Sequence, residues 1–257
     1  MSARRCRWPV LRLVLVSVVL GALASFASAG VAALASASEA QPPQGTRPTL
    51  PACAYGDLVL IGDPWDEHTD LLLDTTYRLP DTPDPPDLVR VREAGFDSDH
   101  RVRAVLIDDL RALRGAAEAA GIALAVQSAY RSYAYQRQVF AGWVARLGEA
   151  QALRVSARPG HSEHQLGTAI DFRTRGGPAP WDVDDWGLTP EGAWLMANAH
   201  RFGFLLSYPA GEEERTCYDY EPWHYRWVGR ERAAEVHAQG VPLRVWLWQQ
   251  GPPEVAR

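Results

Sequence analysis

Three features of this 257-residue sequence predict an α+β fold, a small antiparallel sheet flanked by helices. Segments with the helical spacing of apolar residues are mixed along the chain with short β-like runs, rather than following a strict βαβ series. The runs that read as strands are five to seven residues long. The composition is 47% apolar, enough to bury a core. Charge and patterning exclude other classes. All 26 basic residues are arginine, they are outnumbered by 31 acidic residues, and they form no stripe that could follow a phosphate backbone, so nucleic acid is not an expected partner. No period of about 20 to 50 residues recurs, which removes solenoids and propellers.

In chain order, residues 1–37 stand apart from the fold. Arg4, Arg5 and Arg7 precede an apolar run from residue 8 to about 24, followed by small residues with Ala27-Ser28-Ala29 and Ala35-Ser36-Ala37. This is the pattern of an export signal peptide or, uncleaved, of an N-terminal membrane anchor. The expected location is the cell envelope or beyond it: periplasmic, secreted, or anchored to the outer face of the cytoplasmic membrane. Residues 38–52, rich in Pro, Gln, Ala and Ser, read as a flexible linker, and residues 53–257 as the domain. Pro80, Pro83, Pro85 and Pro86 predict a surface loop, and the segment before them is short for an independent core.

Residues 104–120 place Val105, Leu106, Leu110, Leu113 and Ala117 on one helical face, with Gly121 as a stop. Residues 122–128 are β-like, and 133–147 return to helical spacing through Val139, Phe140, Trp143 and Val144. Thr189-Pro190-Glu191 is an N-cap, a proline at the first helical position and an acid near the positive helix end; the helix runs to about residue 202, where Gly203 stops it. Residues 204–208 and 223–228 suit strands, and a last helix from about residue 230 stops at Gly240. Cys53 and Cys217 are the two cysteines of the domain, and outside the cytoplasm an even pair favours a disulfide. It would close a loop of roughly 165 residues, for which the chain-entropy value is about 5 kcal/mol.

Chemistry concentrates between residues 160 and 224. The run Gly160-His161-Ser162-Glu163-His164-Gln165-Leu166-Gly167-Thr168-Ala169-Ile170-Asp171 puts His164 and Asp171 seven residues apart, and Glu221-Pro222-Trp223-His224 puts an acid three residues before an imidazole. Two histidine nitrogens and one carboxylate oxygen suit Zn²⁺ and leave a fourth position open for water. One carboxylate is then left over. Taken singly, His161 and His164 read as loop histidines, Asp171 as a turn acid and Glu221 as a surface charge; the recurrence of His with acid at two separated places is what favours a site. Trp181, Trp186 and Trp194 fit a sugar-binding strip or, more ordinarily, core and loop anchors. His161, His200 and His237 read as structural or surface residues.

Three blocks in order, Ser128-Ala129-Tyr130-Arg131-Ser132-Tyr133-x-x-Gln136, then Ser162-x-His164-Gln165-x-Gly167-x-Ala169-x-Asp171, then Glu221-Pro222-Trp223-His224-Tyr225-Arg226, resemble the VanY-type zinc D-alanyl-D-alanine carboxypeptidases of the M15 peptidases. That family also includes L,D-carboxypeptidases and VanX-type dipeptidases. The resemblance covers residues 128–229 and says little about the divergent part, residues 53–100. It implies a Hedgehog/D,D-peptidase-like fold, one Zn²⁺ per chain held by His164, Asp171 and His224, and Glu221 as the general base. Arg131 would bind the substrate's terminal carboxylate or the developing oxyanion, with Ser128, Gln136 and Ser162 lining the pocket. The implied substrate is the peptidoglycan stem peptide. A domain that binds peptidoglycan or a structural zinc without turnover is the alternative from another class; Glu221 speaks against it, since binding alone needs no base.

Overall fold

A computed structural model gives the structure of the chain and describes residues 48–65 and 70–256. The segment expected as signal or anchor, and all but the end of the expected linker, lie outside the described residues. Two short pairs come first: β1 (Leu58–Val59) parallel to β2 (Tyr77–Arg78), and β3 (Leu88–Arg90) antiparallel to β4 (Arg101–Arg103). Then follow α1 (Ile107–Ala119), β5 (Leu124–Ser128), α2 (Tyr133–Leu147), α3 (Glu149–Val155), β6 (Ala169–Thr174) and α4 (Pro190–Asn198). β7 (Phe204–Leu206), the single turn α5 (Glu213–Thr216), β8 (His224–Trp227), α6 (Arg230–Gln239) and α7 (Leu243–Gln250) complete the chain. The main sheet has the order β5-β6-β8-β7 and is antiparallel throughout, the α+β arrangement that the sequence predicts.

The two-residue period of a strand sorts the sheet into a packing face and a chemical face. Ile170 and Phe172 of β6, with Tyr225 and Trp227 of β8, enter the main core, together with Leu106, Leu110 and Leu113 from the α1 region. Asp171, His224 and Arg226 alternate with them and occupy the opposite face. Leu71, Leu73 and Leu79, from the segment before the proline loop, pack with Leu166 on that side.

The departures from the expected elements have physical causes. Val105 is exposed because residues 104–106 form a 3-10 turn ahead of α1, and three residues per turn carry it off the apolar stripe. The cap at Thr189 forms, its hydroxyl accepting the Gly192 N–H at 3.1 Å, but α4 tightens into a 3-10 turn over Ala199–Phe202 before Gly203. α2 spans the predicted residues, yet Gln136 is its one fully buried side chain. α7 is absent from the sequence reading because its residues 243–248 are all buried, which leaves no amphipathic period to detect.

Residues 49–51, assigned to the linker by composition, dock on α7: Trp248 Nε1 donates to the Thr49 carbonyl at 2.9 Å, and Arg244 reaches the Pro51 carbonyl. Cys53 and Cys217 are joined in a disulfide, with Cα atoms 5.3 Å apart. From there the chain runs behind the 160–171 block. Leu79 N–H donates to the Gly160 carbonyl at 2.9 Å, Gln165 Nε2 donates to Pro80 O at 3.0 Å, and His161 Nδ1 lies 2.7 Å from Asp74 O. Gly160 permits this approach: its φ is +87°, and a Cβ there would lie 2.6 Å from Leu79 O.

Candidate metal centre

Two strands and a turn deliver the three expected ligands to one point. Asp171 on β6 and His224 on β8 are register partners, and directly opposed residues of an antiparallel pair hold their Cβ atoms about 4.5–5.5 Å apart. His164 comes from the 3-10 turn Glu163–Leu166, which Gly167 ends in the left-handed conformation, φ +75°, before the chain enters β6. One ligand atom from each of the three lies within 4.8 Å of the others, all three residues are buried, and no other such group of His, Cys, Asp and Glu occurs among the described residues.

The donor set fits a divalent cation. His164 Nδ1 is 2.6 Å from the Ala129 carbonyl oxygen, so it carries the ring proton and leaves a lone pair on Nε2. Burial, aided by the Arg131 charge, holds this imidazole down to about 4. Its Nε2 has no hydrogen-bond partner and lies 3.2 Å from Asp171 Oδ2. A buried lone pair facing a carboxylate oxygen is repulsive unless a cation lies between them. His224 Nδ1 is 3.0 Å from the other oxygen, Asp171 Oδ1, and its Nε2 is 2.9 Å from Glu163 Oε2. Burial opposes charge on His224, but hydrogen bonds to Asp171 and Glu163 outweigh it and raise the ring to about 10. Metal binding at Nδ1 releases that proton.

A cavity of about 530 Å³ opens over these ligands. Glu221 lies on it, Oε2 4.0 Å from His224 Nδ1; burial pushes its carboxyl up to about 8, with His224 pulling the other way. Burial lowers the Arg131 guanidinium, against the pull of the Asp171 and Glu221 carboxylates, and its Nε has no hydrogen-bond partner. Its backbone N–H donates to the His164 carbonyl at 3.2 Å, tying the first sequence block to the metal turn.

His164, Asp171, His224, Glu221, Arg131, Ser128 and Ser162 thus meet in one cavity. Gln136 does not. It stands behind the wall, fully buried, with Nε2 donating to the Ala157 carbonyl at 2.7 Å, so its expected place on the pocket surface is corrected to bracing α2. Trp186 is in the main core and Trp194 packs against Phe202, whereas Trp181 reaches the cavity beside Trp143 and Trp223. Sequence reasoning missed Glu163 and Tyr208, whose ring lies 4.9 Å from that of His224. A carboxylate beside a ligand histidine was the only signal for Glu163; a tyrosine thirteen residues from the nearest motif residue gave none for Tyr208.

An α+β scaffold whose paired strands and adjoining turn supply a buried His₂Asp set, with a carboxylate and a guanidinium on the same cavity, has the arrangement of an open divalent-metal site of the kind metallopeptidases use. The family described as VanY, D-alanyl-D-alanine carboxypeptidase, matches residues 99–230, and the chain belongs to it. Among curated relatives, YodJ of Bacillus subtilis is 35% identical over 181 residues, 68% of this chain and 66% of its own length. The LdcB LD-carboxypeptidase structure is 33% identical with a TM-score of 0.61, covering 69% of this chain and 85% of that one. VanYB in complex with D-alanine-D-alanine is 30% identical with a TM-score of 0.60, covering 70% and 98%, and a VanY D,D-pentapeptidase in complex with Zn(II) gives the same values. The chain spans between about a third and two thirds of the length of the curated relatives it matches.

Proposed function

We propose that the chain is a zinc-dependent D-alanyl-D-alanine carboxypeptidase that removes the terminal D-alanine from peptidoglycan stem peptides, exported across the cytoplasmic membrane and using one zinc ion per chain. The observation that carries this reading is the single cavity in which the His₂Asp set, Glu221 and Arg131 meet. Zinc, when held by His164, Asp171 and His224, supplies the charge that lowers the pKa of a water molecule and polarises a carbonyl. Glu221 is placed to accept a proton on its carboxylate and return it to the leaving amine; its buried setting makes it a stronger base than an ordinary carboxylate, and a nearby dication moderates that effect. Arg131 offers a planar pair of N–H donors to the substrate's terminal carboxylate or to the oxygen on which charge develops. Ser128 and Ser162 add hydroxyls to the same wall.

The relatives support the substrate class, since VanYB was solved with D-alanine-D-alanine and an Enterococcus faecalis relative carries the name D-alanyl-D-alanine carboxypeptidase. The export pattern at residues 1–37 supports the location, because stem peptides lie outside the cytoplasmic membrane. The test is mass spectrometry of defined muropeptides incubated with zinc-loaded protein from Ser38 onward. Loss of one alanine from the pentapeptide is the expected result. Trimming of the tetrapeptide alone would reassign the chain to L,D-carboxypeptidase activity, and zinc binding without trimming would make it a peptidoglycan-binding module.

A further inference from the structure

Behind the ligands lies a buried ion pair that the proposed chemistry does not use. Glu163 Oε2 accepts from His224 Nε2 at 2.9 Å and from the Ser207 hydroxyl at 2.6 Å. Its other oxygen, Oε1, accepts from Arg226 Nη1 at 3.0 Å. Arg226 is wholly inaccessible to solvent, and its Nη2 donates to the Leu71 carbonyl at 2.7 Å. Leu71 lies outside the residues that match the family, on the segment that runs behind the motif.

A buried ion pair is not economical as a source of stability, because desolvation of two charges cancels most of their attraction. Its best-attested use is to fix one arrangement among several. Once one proton is released on metal binding, His224 has two candidate arrangements: the remaining proton on Nε2 with Nδ1 free to bind metal, or on Nδ1, where it competes with the metal. We infer that Glu163 and Arg226, the latter anchored on the Leu71 carbonyl, form a positioning relay that holds the His224 proton on Nε2 and so commits Nδ1 to the metal. The strand period supports this. Arg226 is two residues after His224 on β8 and therefore on the same face, while Glu163 precedes the ligand His164 in the turn. The elements that supply the ligands thus also supply the residues that orient them, and the segment at Leu71 closes the relay from outside.

The inference rests on the metal-centre reading and is tested by zinc affinity, measured by competition with a chromophoric chelator, so it does not depend on turnover. Outer partners of metal ligands typically contribute 10- to 100-fold in affinity, and Glu163→Ala is expected to weaken zinc binding by about that factor. Glu163→Gln paired with Arg226→Met keeps an acceptor oxygen for Nε2 without setting the amide NH₂ against the guanidinium that now faces Oε1, and is expected to recover most of the loss. Glu163→Ala and Arg226→Met each strand the buried charge of the other and can fail to fold, so the double variant Glu163→Ala/Arg226→Met, which removes both charges, is the second arm. It should bind zinc as Glu163→Ala does, since Arg226 acts through Glu163. Circular dichroism melts above the assay temperature confirm that each variant is folded. Wild-type affinity in folded Glu163→Ala, or no recovery in Glu163→Gln/Arg226→Met, or a further loss in Glu163→Ala/Arg226→Met, overturns the relay alone. A wild-type protein that binds no zinc overturns the metal centre and the relay together.

Discussion

Glu221 and Arg131 share a cavity wall with the ligands but contribute different things to it, and substitution separates them. Glu221→Gln preserves shape and removes the proposed base. Hydrolysis should fall by about 10² to 10⁴ while zinc content, read by atomic absorption, stays at the wild-type value; undiminished turnover would remove Glu221 from the mechanism. His164→Ala should instead lose zinc, because the lone pair that faces Asp171 is gone. Arg131→Ala removes charge-assisted hydrogen bonds, worth about 1.5–3 kcal/mol, so kcat/KM should fall roughly tenfold to a hundredfold. A loss confined to KM assigns Arg131 to the substrate's carboxylate, and a loss in kcat assigns it to the oxyanion. The candidate ligands are legible in sequence because their side chains are the chemistry and occur in ordered blocks. Glu163 is not, since its importance lies in where its two oxygens point, toward His224 and Arg226, and residue type does not reveal that.

The segment from Leu71 to Pro80 is the element whose role the sequence hid, and the reason is physical. It holds the motif largely through backbone carbonyls, those of Leu71, Asp74 and Pro80, which every residue type possesses. α2 shows the complementary failure. Its apolar period was read correctly as a helix, but Val139 and Trp143 line the cleft instead of the core, because periodicity identifies a face and not its cover. Asp74 pins the segment: Oδ1 accepts the N–H groups of Thr76 and Tyr77 at 2.7 and 2.9 Å, and Oδ2 takes Arg244 Nε at 2.7 Å. Asp74→Ala leaves Arg244 buried without its carboxylate, and urea denaturation should show a loss of about 3–5 kcal/mol. His161 adds a pH dependence to the same contact. Burial, with the Arg158 charge, lowers it from 6.5, so the folded chain keeps the ring neutral where the unfolded chain protonates it. The unfolded state then binds more protons, and stability present above pH 6.5 is lost as pH falls from 6.5 toward the lower folded value. Thermal midpoints taken with chelator at pH 7 and pH 5 should drop less for His161→Gln than for wild type; equal drops would exclude His161 as a source.

The whole domain is closed by one covalent link between its beginning and the loop that carries Glu221, the proposed base. Cys53 starts the segment behind the motif, and Cys217 precedes Glu221 by four residues, the two cysteines having a sequence separation of 164. A cross-link over so long a loop restricts the unfolded chain most, by about 5 kcal/mol on the entropy argument. Cys217 also sits at φ +72°, the one non-glycine residue with positive φ among those described, and the left-handed region costs an ordinary residue about 1–2 kcal/mol. The bridge therefore holds a conformation the loop would not favour by itself. Reduction, or the Cys53→Ser/Cys217→Ser variant, should lower the thermal midpoint by roughly 10–20 °C, taking about 2–4 °C per kcal/mol for a domain of this size. Zinc affinity at 25 °C should be nearly unchanged, because β6, β8 and the Glu163–Leu166 turn hold the ligands independently of the bridge. Turnover should fall more than zinc affinity, since Glu221 alone among the proposed catalytic groups depends on the bridged loop. A melt indifferent to reductant would mean that docking of residues 49–51 on α7 and the Asp74–Arg244 pair suffice to hold the chain closed; equal losses of zinc and turnover would mean that the bridge supports the sheet and not the loop.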